Sequence, residues 1–231
     1  MSEPANEVVE EVEEAGARLR LVRSASGLAV FRGADRLFGE QRRREDRAFA
    51  DFVTAPITGR DDLRVTLVGL GSGHLLRALL DIPGVREAEV IEQSPTIASW
   101  ARSHFAVGTG GALSDPRVNL RIGALQDVLD GADAPTGRFA VVLDIDSSLA
   151  APITPELYQP AGLARCIEML RPGGVLALAS TRRETAFLRE LSTRMQNVAE
   201  VAAPVDSEPG ALDYFYRARR PAAGGAPRGR N

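Results

Sequence analysis

The sequence predicts an α/β protein in which a mostly parallel sheet carries helices on both faces. Three observations support this prediction. From residue 64 onward, short apolar segments of strand length alternate with segments whose apolar residues recur at helical spacing. A glycine-rich turn follows the first of these strands and leads directly into a helix pattern. The last two strand patterns follow each other without an intervening helix, which predicts a closing antiparallel pair.

The elements follow a regular order along the chain. Helix patterns have apolar residues at helical spacing, and one of them starts with Ser94 as the N-cap and Pro95 at the first helical position. Another ends in Pro-Gly-Gly. The predicted strands span residues 64–70, 87–93, 117–123, 138–146, 175–181, 198–205 and 211–219, and the predicted helices span residues 73–84, 94–105, 125–131, 158–174 and 183–195.

Composition limits the kind of protein this chain can be. It has 231 residues, of which 44% are apolar, so it can build one α/β domain with additions. A net charge of −3 gives no general attraction for nucleic acid. All 28 basic residues are arginine, which excludes a catalytic lysine, and the single Cys166 excludes an internal disulfide. Neither a secretory leader nor an apolar run of membrane-spanning length is visible. We therefore expect a cytoplasmic protein without membrane or nucleic-acid partners.

The chain is predicted to divide into four parts. Residues 1–16 are strongly acidic and are expected to form a solvated tail. Residues 17–58 contain two alternating runs around Ser-Ala-Ser-Gly, typical of a β-hairpin, and then a lead-in helix that ends near Pro56. Residues 59–220 hold the alternating strands and helices. Residues 221–231 are basic and rich in glycine and proline, and are predicted to be disordered.

The glycine turn is the first candidate for a ligand site. Gly69, Gly71 and Gly73 lie between a buried strand and a helix. Glycine permits a positive φ and a close approach of a ligand to the backbone. The free amides at the start of the following helix would face such a ligand. Tight strand–helix turns also use glycine without any ligand, so the glycines alone leave both interpretations open.

Carboxylates follow two other strands of the predicted sheet. Glu92 ends the next strand, 21 residues after Gly71. In folds of this type an acid at that place binds ribose hydroxyls, at the carboxyl edge of the sheet. The apolar strand in "VVLDIDSS" brings Asp144 and Asp146 to the same edge. The alternatives are a solvated glutamate at a strand end and an aspartate that caps a loop.

Together these elements resemble the spermidine synthase family, within the Rossmann-like class I S-adenosylmethionine-dependent methyltransferase fold. The likeness covers about residues 27–181. "VGLGSG" matches the family's glycine loop, "VIEQSP" its "VEID" strand end and "DPRVNLRIGAL" its "DPRV…GD". "FAVVLDIDSS" matches the strand with the catalytic aspartate, and "ELYQPAGLARCIEMLRPGGVLAL" matches "LY…F…L.PGGVL".

The resemblance implies a ligand, a catalytic group and an acceptor side. The ligand is S-adenosylmethionine or its decarboxylated form, and the catalytic group is Asp144. The acceptor is a small molecule, expected to contact Asp146, Tyr158 and Phe49. No metal is implied, and a homodimer is expected because the family often pairs subunits. The residues implied in binding the S-adenosyl ligand are Gly69, Gly71, Ser72, Gly73, Glu92, Gln93, Gly123, Ala124 and Asp144.

The chain departs from the family pattern at several of these positions. Ser72 stands where the family's glycine loop usually carries an acid, and Ala124 stands where the family has an aspartate that contacts adenine. The family's Tyr-His pair, on the polyamine side, aligns with Phe49 and Ala50. The nucleoside side is thus partly kept, and the amine side is largely rewritten.

Three functions remain open from the sequence. The first is a transferase, spermidine synthase-like with an altered acceptor site, in which Asp144 holds an amine acceptor and receives its proton. The second is a methyltransferase of specialised metabolism, or an enzyme that rearranges the S-adenosyl compound itself. The third is a non-catalytic nucleoside-binding protein, which Ser72 and Ala124 would favour.

Overall fold

Two sheets organise the residues that the computed structural model describes, which are 6–144, 160–206 and 209–222. The smaller sheet is antiparallel and pairs its four strands in chain order. These strands are β1 (Glu7–Glu14), β2 (Ala17–Ser24), β3 (Gly27–Arg32) and β4 (Asp35–Gly39). The strands of the larger sheet are β5 (Leu63–Val68), β6 (Val85–Glu92), β7 (Val118–Ile122), β8 (Arg138–Leu143), β9 (Leu170–Ser180), β10 (Gln196–Pro204) and β11 (Leu212–Arg219).

The larger sheet has the order β10-β11-β9-β8-β5-β6-β7. Strand β5 pairs in parallel with β6 and β8, and the parallel pairing continues to β7 on one side and β9 on the other. Strands β11 and β10 close the sheet in antiparallel fashion. This is the α/β, Rossmann-like architecture that the sequence predicts, and it places the carboxyl ends of five parallel strands at one edge.

Helices cover both faces of the larger sheet. Its central strands are therefore buried on both sides, which is why they carry apolar residues on both faces. Alternate residues of β5 point to opposite sides, with Leu67 in one apolar cluster and Val68 in the other. Cys166 is fully buried in the second cluster, as expected for a packing residue. The helices are α1 (Arg43–Thr54), α2 (His74–Leu80), α3 (Pro95–Ser103), α4 (Ala106–Thr109), α5 (Leu125–Asp130), α6 (Pro160–Met169) and α7 (Thr185–Arg194).

The expected solvated tail over residues 1–16 is wrong for residues 7–14. These residues form β1, which pairs with β2 from Glu7 to Glu14. Val9 and Val12 both pack against the apolar cluster under the smaller sheet although they are three residues apart. The pairing of β1 with β2 shifts register between Val8 and Glu10, and such an irregularity breaks the regular alternation of a strand. The sequence therefore lacks the period-2 pattern that would have predicted this strand. Residues 17–58 accordingly contribute to a four-stranded sheet and not to an isolated hairpin.

The smaller sheet packs on α3. Trp100, 1% exposed, and Phe105 fill a cluster with Leu19 and Leu21 of β2. The carboxylate of Glu14 also accepts a hydrogen bond from the backbone amide of Thr96, 3.0 Å away. The smaller sheet is therefore fixed over the carboxyl edge of the larger one.

The Pro-Gly-Gly segment differs from expectation. Helix α6 ends at Met169, and β9 begins at Leu170, so Pro-Gly-Gly lies inside the strand and does not follow the end of the helix directly. Arg138 pairs with Leu170, whereas Ala140 pairs with Val175. The extra residues on β9 form a bulge, which accommodates proline and glycine within a strand.

We predict that Trp100→Ala lowers the free energy of unfolding by about 3–5 kcal/mol, because it empties the cluster between α3 and the smaller sheet. Urea denaturation would measure this loss. Val107→Ala is the control, since this side chain is 94% exposed on α4 and its removal should cost within about 0.5 kcal/mol. Equal effects of the two substitutions would show that Trp100 does not hold the sheets together.

Candidate functional site

A cavity of about 440 Å³ lies at the carboxyl ends of β5, β6 and β8, against the smaller sheet. This volume suits a ligand of nucleoside size. Leu37 and Phe38 of the smaller sheet form part of its wall. The predicted ligand-binding residues on the wall are Gly69, Gly71, Ser72, Glu92, Gln93, Gly123 and Asp144. The structure thus brings together residues from four segments that are far apart in sequence.

The three glycines of the turn have three different roles. Gly69 has φ +88°, and a Cβ added there would lie 2.1 Å from the backbone oxygen of Asp144. Gly71 has φ +54° and forms part of the cavity wall, where a Cβ would meet only the Phe38 ring at 3.8 Å. Gly73 has φ +85°, precedes α2 and lies behind the wall. Gly71 therefore matches the expectation that glycine gives a ligand access to the backbone, whereas Gly69, also on the wall, is required by its close approach to Asp144.

Glu92 lies at the end of β6 and is 7% exposed. Its Oε2 accepts the amide of Leu70 at 2.9 Å, and its Oε1 accepts the amide of Ser94 at 2.8 Å. Burial raises the pKa of Glu92, and these amides oppose the shift. The carboxylate is thus held between the glycine loop and the start of α3, and it also lines the cavity.

Ser72 and His74 form a hydrogen-bonded pair behind the glycine loop. The Ser72 hydroxyl lies 2.8 Å from Nδ1 of His74, and both side chains are buried. Burial and, to a smaller extent, the neighbouring charge of Arg43 lower the pKa of His74 to about 4. The imidazole is therefore neutral near neutral pH, and it orients an uncharged hydroxyl on the cavity wall.

A cluster of charged groups lies beside Asp144. Arg42 and Asp46 are one helical turn apart at the start of α1, and both line the cavity with Asp144. Arg42 forms an ion pair with Asp213 of β11, which is 1% exposed. Burial raises the pKa of Asp46 well above its usual value, the charge of Asp144 raises it further, and Arg42 opposes the rise. Sequence reasoning missed Asp46, although its spacing from Arg42 was a visible signal.

Three predicted site residues do not line the cavity. Phe49 is 2% exposed and packs on Phe215 with ring centroids 4.9 Å apart, so it is a core residue and not part of the cavity wall. Ala124 precedes α5 as its N-cap and is also behind the wall. Gly73 is likewise set back. Phe49 was expected on the acceptor side because alignment identifies a position along a helix but not the direction in which its side chain points.

Two further acceptor-side predictions, Asp146 and Tyr158, lie outside the described residues. Within the described ranges, no three His, Cys, Asp or Glu side chains gather as a possible metal site. No helix of the described residues is both long enough and apolar enough to cross a membrane.

Comparisons with known proteins support the resemblance. Over 154 residues the chain is 28% identical to the polyamine aminopropyltransferase of Mycobacterium tuberculosis. This match covers 65% of this chain and 29% of the relative. The chain thus resembles the spermidine synthase family in sequence. It is also 28% identical over 145 residues to the polyamine aminopropyltransferase of Aeropyrum pernix, covering 62% of this chain and 45% of that protein. The matched region is therefore less than half the length of either relative. No protein-family profile matches.

Solved structures show the same fold. Spermidine synthase from Thermotoga maritima aligns with a TM-score of 0.76 and 15% identity, covering 92% of this chain and 72% of that one. A spermidine synthase in complex with the transition-state analogue AdoDATO aligns with a TM-score of 0.74 and 15% identity. This likeness confirms the predicted fold class of the spermidine synthase-like chain.

We predict that Gly69→Ala destabilises the protein more than Gly59→Ala. Both glycines have positive φ, +88° and +80°, so an L-residue costs about 1 kcal/mol or more at each. Only at position 69 does the added Cβ collide with backbone, whereas position 59 has open space around it. Thermal unfolding of both variants measures the difference. If Gly59→Ala costs as much as Gly69→Ala, the close approach to Asp144 is not a structural constraint.

We predict that His74 makes stability depend on pH. The pKa of His74 falls from 6.5 in the unfolded chain to about 4 in the folded protein, so the unfolded state binds more protons between these values. The contribution of His74 is complete above pH 6.5 and is lost as the pH falls toward about 4. Urea denaturation across this range should show a weaker decline for His74→Gln than for the unchanged protein. His104→Gln, in which a half-buried imidazole that pairs with Glu10 is replaced, should keep the decline. The same slope for His74→Gln and the unchanged protein would contradict this role.

Proposed function

We propose that this chain transfers an aminopropyl group from decarboxylated S-adenosylmethionine to a small amine acceptor. The observation that carries the proposal is the cavity at the carboxyl edge of the sheet, which has Glu92 and Asp144 in one wall. The similarity to polyamine aminopropyltransferases supports the reaction type. Because the matched region spans less than half of these relatives, the acceptor is proposed only as a chemical class.

The nucleoside end of the proposed site lies over β6 and β7. Glu92 would accept hydrogen bonds from the ribose hydroxyls, since its two oxygens are already oriented by backbone amides. Ile91 and Leu125 supply apolar wall for the base. The wall at Gly71 has no side chain, so the rest of the ligand can pack against the backbone of the loop.

The reacting end lies beside Asp144. The donor, when bound, supplies a carbon that is electrophilic because it is attached to a sulfonium sulfur. An amine attacks such a carbon only in its neutral form, so a nearby carboxylate is needed to receive the proton that the amine loses. Asp144 is placed to hold the amine and to take that proton. Attack forms the carbon–nitrogen bond as the carbon–sulfur bond breaks, and correct positioning supplies much of the rate.

Methyl transfer from intact S-adenosylmethionine is the second candidate, and the Ser72–His74 pair favours it. An acid at position 72 would repel the carboxylate of the intact compound. Ser72 is instead an uncharged hydroxyl on the cavity wall, held by a neutral imidazole. Phe49 gives this candidate no support, since it is in the core and does not form an apolar acceptor wall.

Calorimetric titration with the decarboxylated and the intact compound would test the proposal. We expect tighter binding of the decarboxylated form and an aminopropyl increment in the product mass. Asp144→Asn should keep nucleoside binding but lower kcat by about 10²-fold or more, because the group that receives the proton is lost. Glu92→Gln should weaken nucleoside binding by about tenfold, as expected for the loss of a hydrogen bond to a charged group.

The other outcomes decide between the candidates. Tighter binding of the intact compound with a methyl increment would replace aminopropyl transfer by methyl transfer. Full turnover by Asp144→Asn would remove Asp144 from the chemistry. Failure of a folded sample to bind either compound would overturn both candidates, and binding without turnover on any acceptor would favour a non-catalytic nucleoside-binding protein.

A further inference from the structure

The glycine loop divides the cavity into two ends. In the sheet, β5 lies between β6 and β8, so the residues that follow β6 and β7 are on one side of the loop and those that follow β8 and β9 on the other. Glu92, Gln93 and Gly123 belong to the first end. Asp144, which follows β8, and Thr181, which follows β9, belong to the second. The nucleoside and the acceptor can therefore be assigned to opposite ends.

Asp46 belongs to the end that holds Asp144. It projects from α1 into the cavity, and the charges that act on it are those of Asp144, Arg42, Glu45 and Asp213. These groups come from α1 and the turn before it, from the end of β8 and from β11. None of the nucleoside-end residues is among them. Asp46 of α1 and Asp144, which follows β8, thus line the same end of the cavity.

The charge balance of this end indicates the chemistry of its ligand. Four carboxyl groups, those of Glu45, Asp46, Asp144 and Asp213, surround one guanidinium, that of Arg42. Arg42 is committed to an ion pair with the buried Asp213. Glu45 accepts the backbone amide of Asp206 at 2.8 Å, away from the cavity wall. Asp46 and Asp144 both line the cavity, as does Arg32, and the charge of Asp144 raises the pKa of Asp46. A cation entering between the two carboxyl groups would relieve this mutual repulsion.

We propose that Asp46 is a second acceptor-binding residue, which holds a cationic amine together with Asp144. This inference rests on the proposed function. The acceptor's ammonium donates hydrogen bonds to both carboxyl groups, one from α1 and one from the end of β8. Two carboxylates can also orient the amine nitrogen toward the glycine loop, where the donor would lie. A neutral acceptor gains nothing from this arrangement, so Asp46 selects for amines that are charged when they enter.

Protonation of Asp46 links amine binding to pH. Burial raises the pKa of Asp46 well above its usual value, and Asp144 and Glu45 raise it further whereas Arg42 lowers it. An incoming ammonium has the opposite effect, because it favours the ionised carboxylate. Binding of the amine is thus accompanied by proton release from Asp46. Amine affinity should consequently increase as the pH rises through the pKa of Asp46.

Calorimetric titration with 1,4-diaminobutane, on the full chain saturated with 5′-methylthioadenosine, tests this inference. Asp46→Asn should weaken diamine binding by about tenfold to a hundredfold, since a charge-assisted hydrogen bond is lost. It should also flatten the rise of affinity with pH, and raise KM for the amine more than it lowers kcat. Binding of 5′-methylthioadenosine itself should not change. Asp51→Asn is the matched control, because Asp51 lies on the same helix but is exposed and pairs with Arg47.

Each outcome has a distinct meaning. If Asp46→Asn binds the diamine as tightly as the unchanged protein, Asp46 is only structural and the inference is overturned. If the unchanged protein binds 5′-methylthioadenosine but no diamine, the inference fails while the nucleoside part of the proposed function stands. If it binds neither compound, the proposed function fails first.

A measurement on the unchanged sequence covers the case in which Asp46→Asn does not fold. Carbon-13 NMR of the aspartate carboxyl groups would follow the titration of Asp46, with Asp46→Glu used for assignment. Adding 1,4-diaminobutane should lower the pKa of Asp46. A titration of Asp46 that is unaffected by saturating diamine would overturn the inference.

Discussion

The contact between Gly69 and the backbone of Asp144 determines the geometry of the whole cavity. The amide of Gly69 donates to Ile91 of β6 at 2.9 Å, and the amide of Asp144 donates to Val68 of β5 at 2.8 Å. Because a Cβ at position 69 would overlap the oxygen of Asp144, only glycine allows this spacing. The ends of β5, β6 and β8 are thereby locked together. The carboxyl groups that follow β6 and β8 then keep fixed positions relative to each other, as a site that works by positioning requires.

The two ends of the cavity use their acids differently. Glu92 is held by the amides of Leu70 and Ser94, which oppose the rise in pKa that its burial causes and leave it little freedom to move. Asp46 is instead surrounded by other acids and keeps its proton to a higher pH than an exposed aspartate. The first arrangement suits permanent acceptance of hydrogen bonds from hydroxyls. The second suits a group whose ionisation is favoured by an incoming cation, which is the behaviour expected on an acceptor side.

Sequence reasoning recovered the order of the strands and most of the cavity wall because both depend on local patterns. Strand ends carrying Gly69, Glu92 or Asp144 must meet at one edge once the strands are parallel. It failed where long-range packing decides. The strand β1 has no regular alternation, because its register shifts between Val8 and Glu10, and Val9 and Val12 matter only because β2 and α3 lie beside them. Phe49 was expected at the acceptor and Asp46 was not, whereas Asp46 lines the cavity and Phe49 packs on Phe215. The way α1 packs on the sheet determines which of the two faces the cavity.

The smaller sheet is connected to the chemistry of the site through α3. Trp100 anchors that helix against β2, and the first turn of the same helix donates the Ser94 amide to Glu92. Glu14, at the end of β1, accepts the amide of Thr96 in that turn and also lines the cavity. The charge of Glu14 further raises the pKa of Glu92. Residues 7–14, which the sequence presents as an acidic tail, therefore help to orient the carboxylate proposed to bind ribose, and removing them would disturb the nucleoside end before it disturbed the acceptor end.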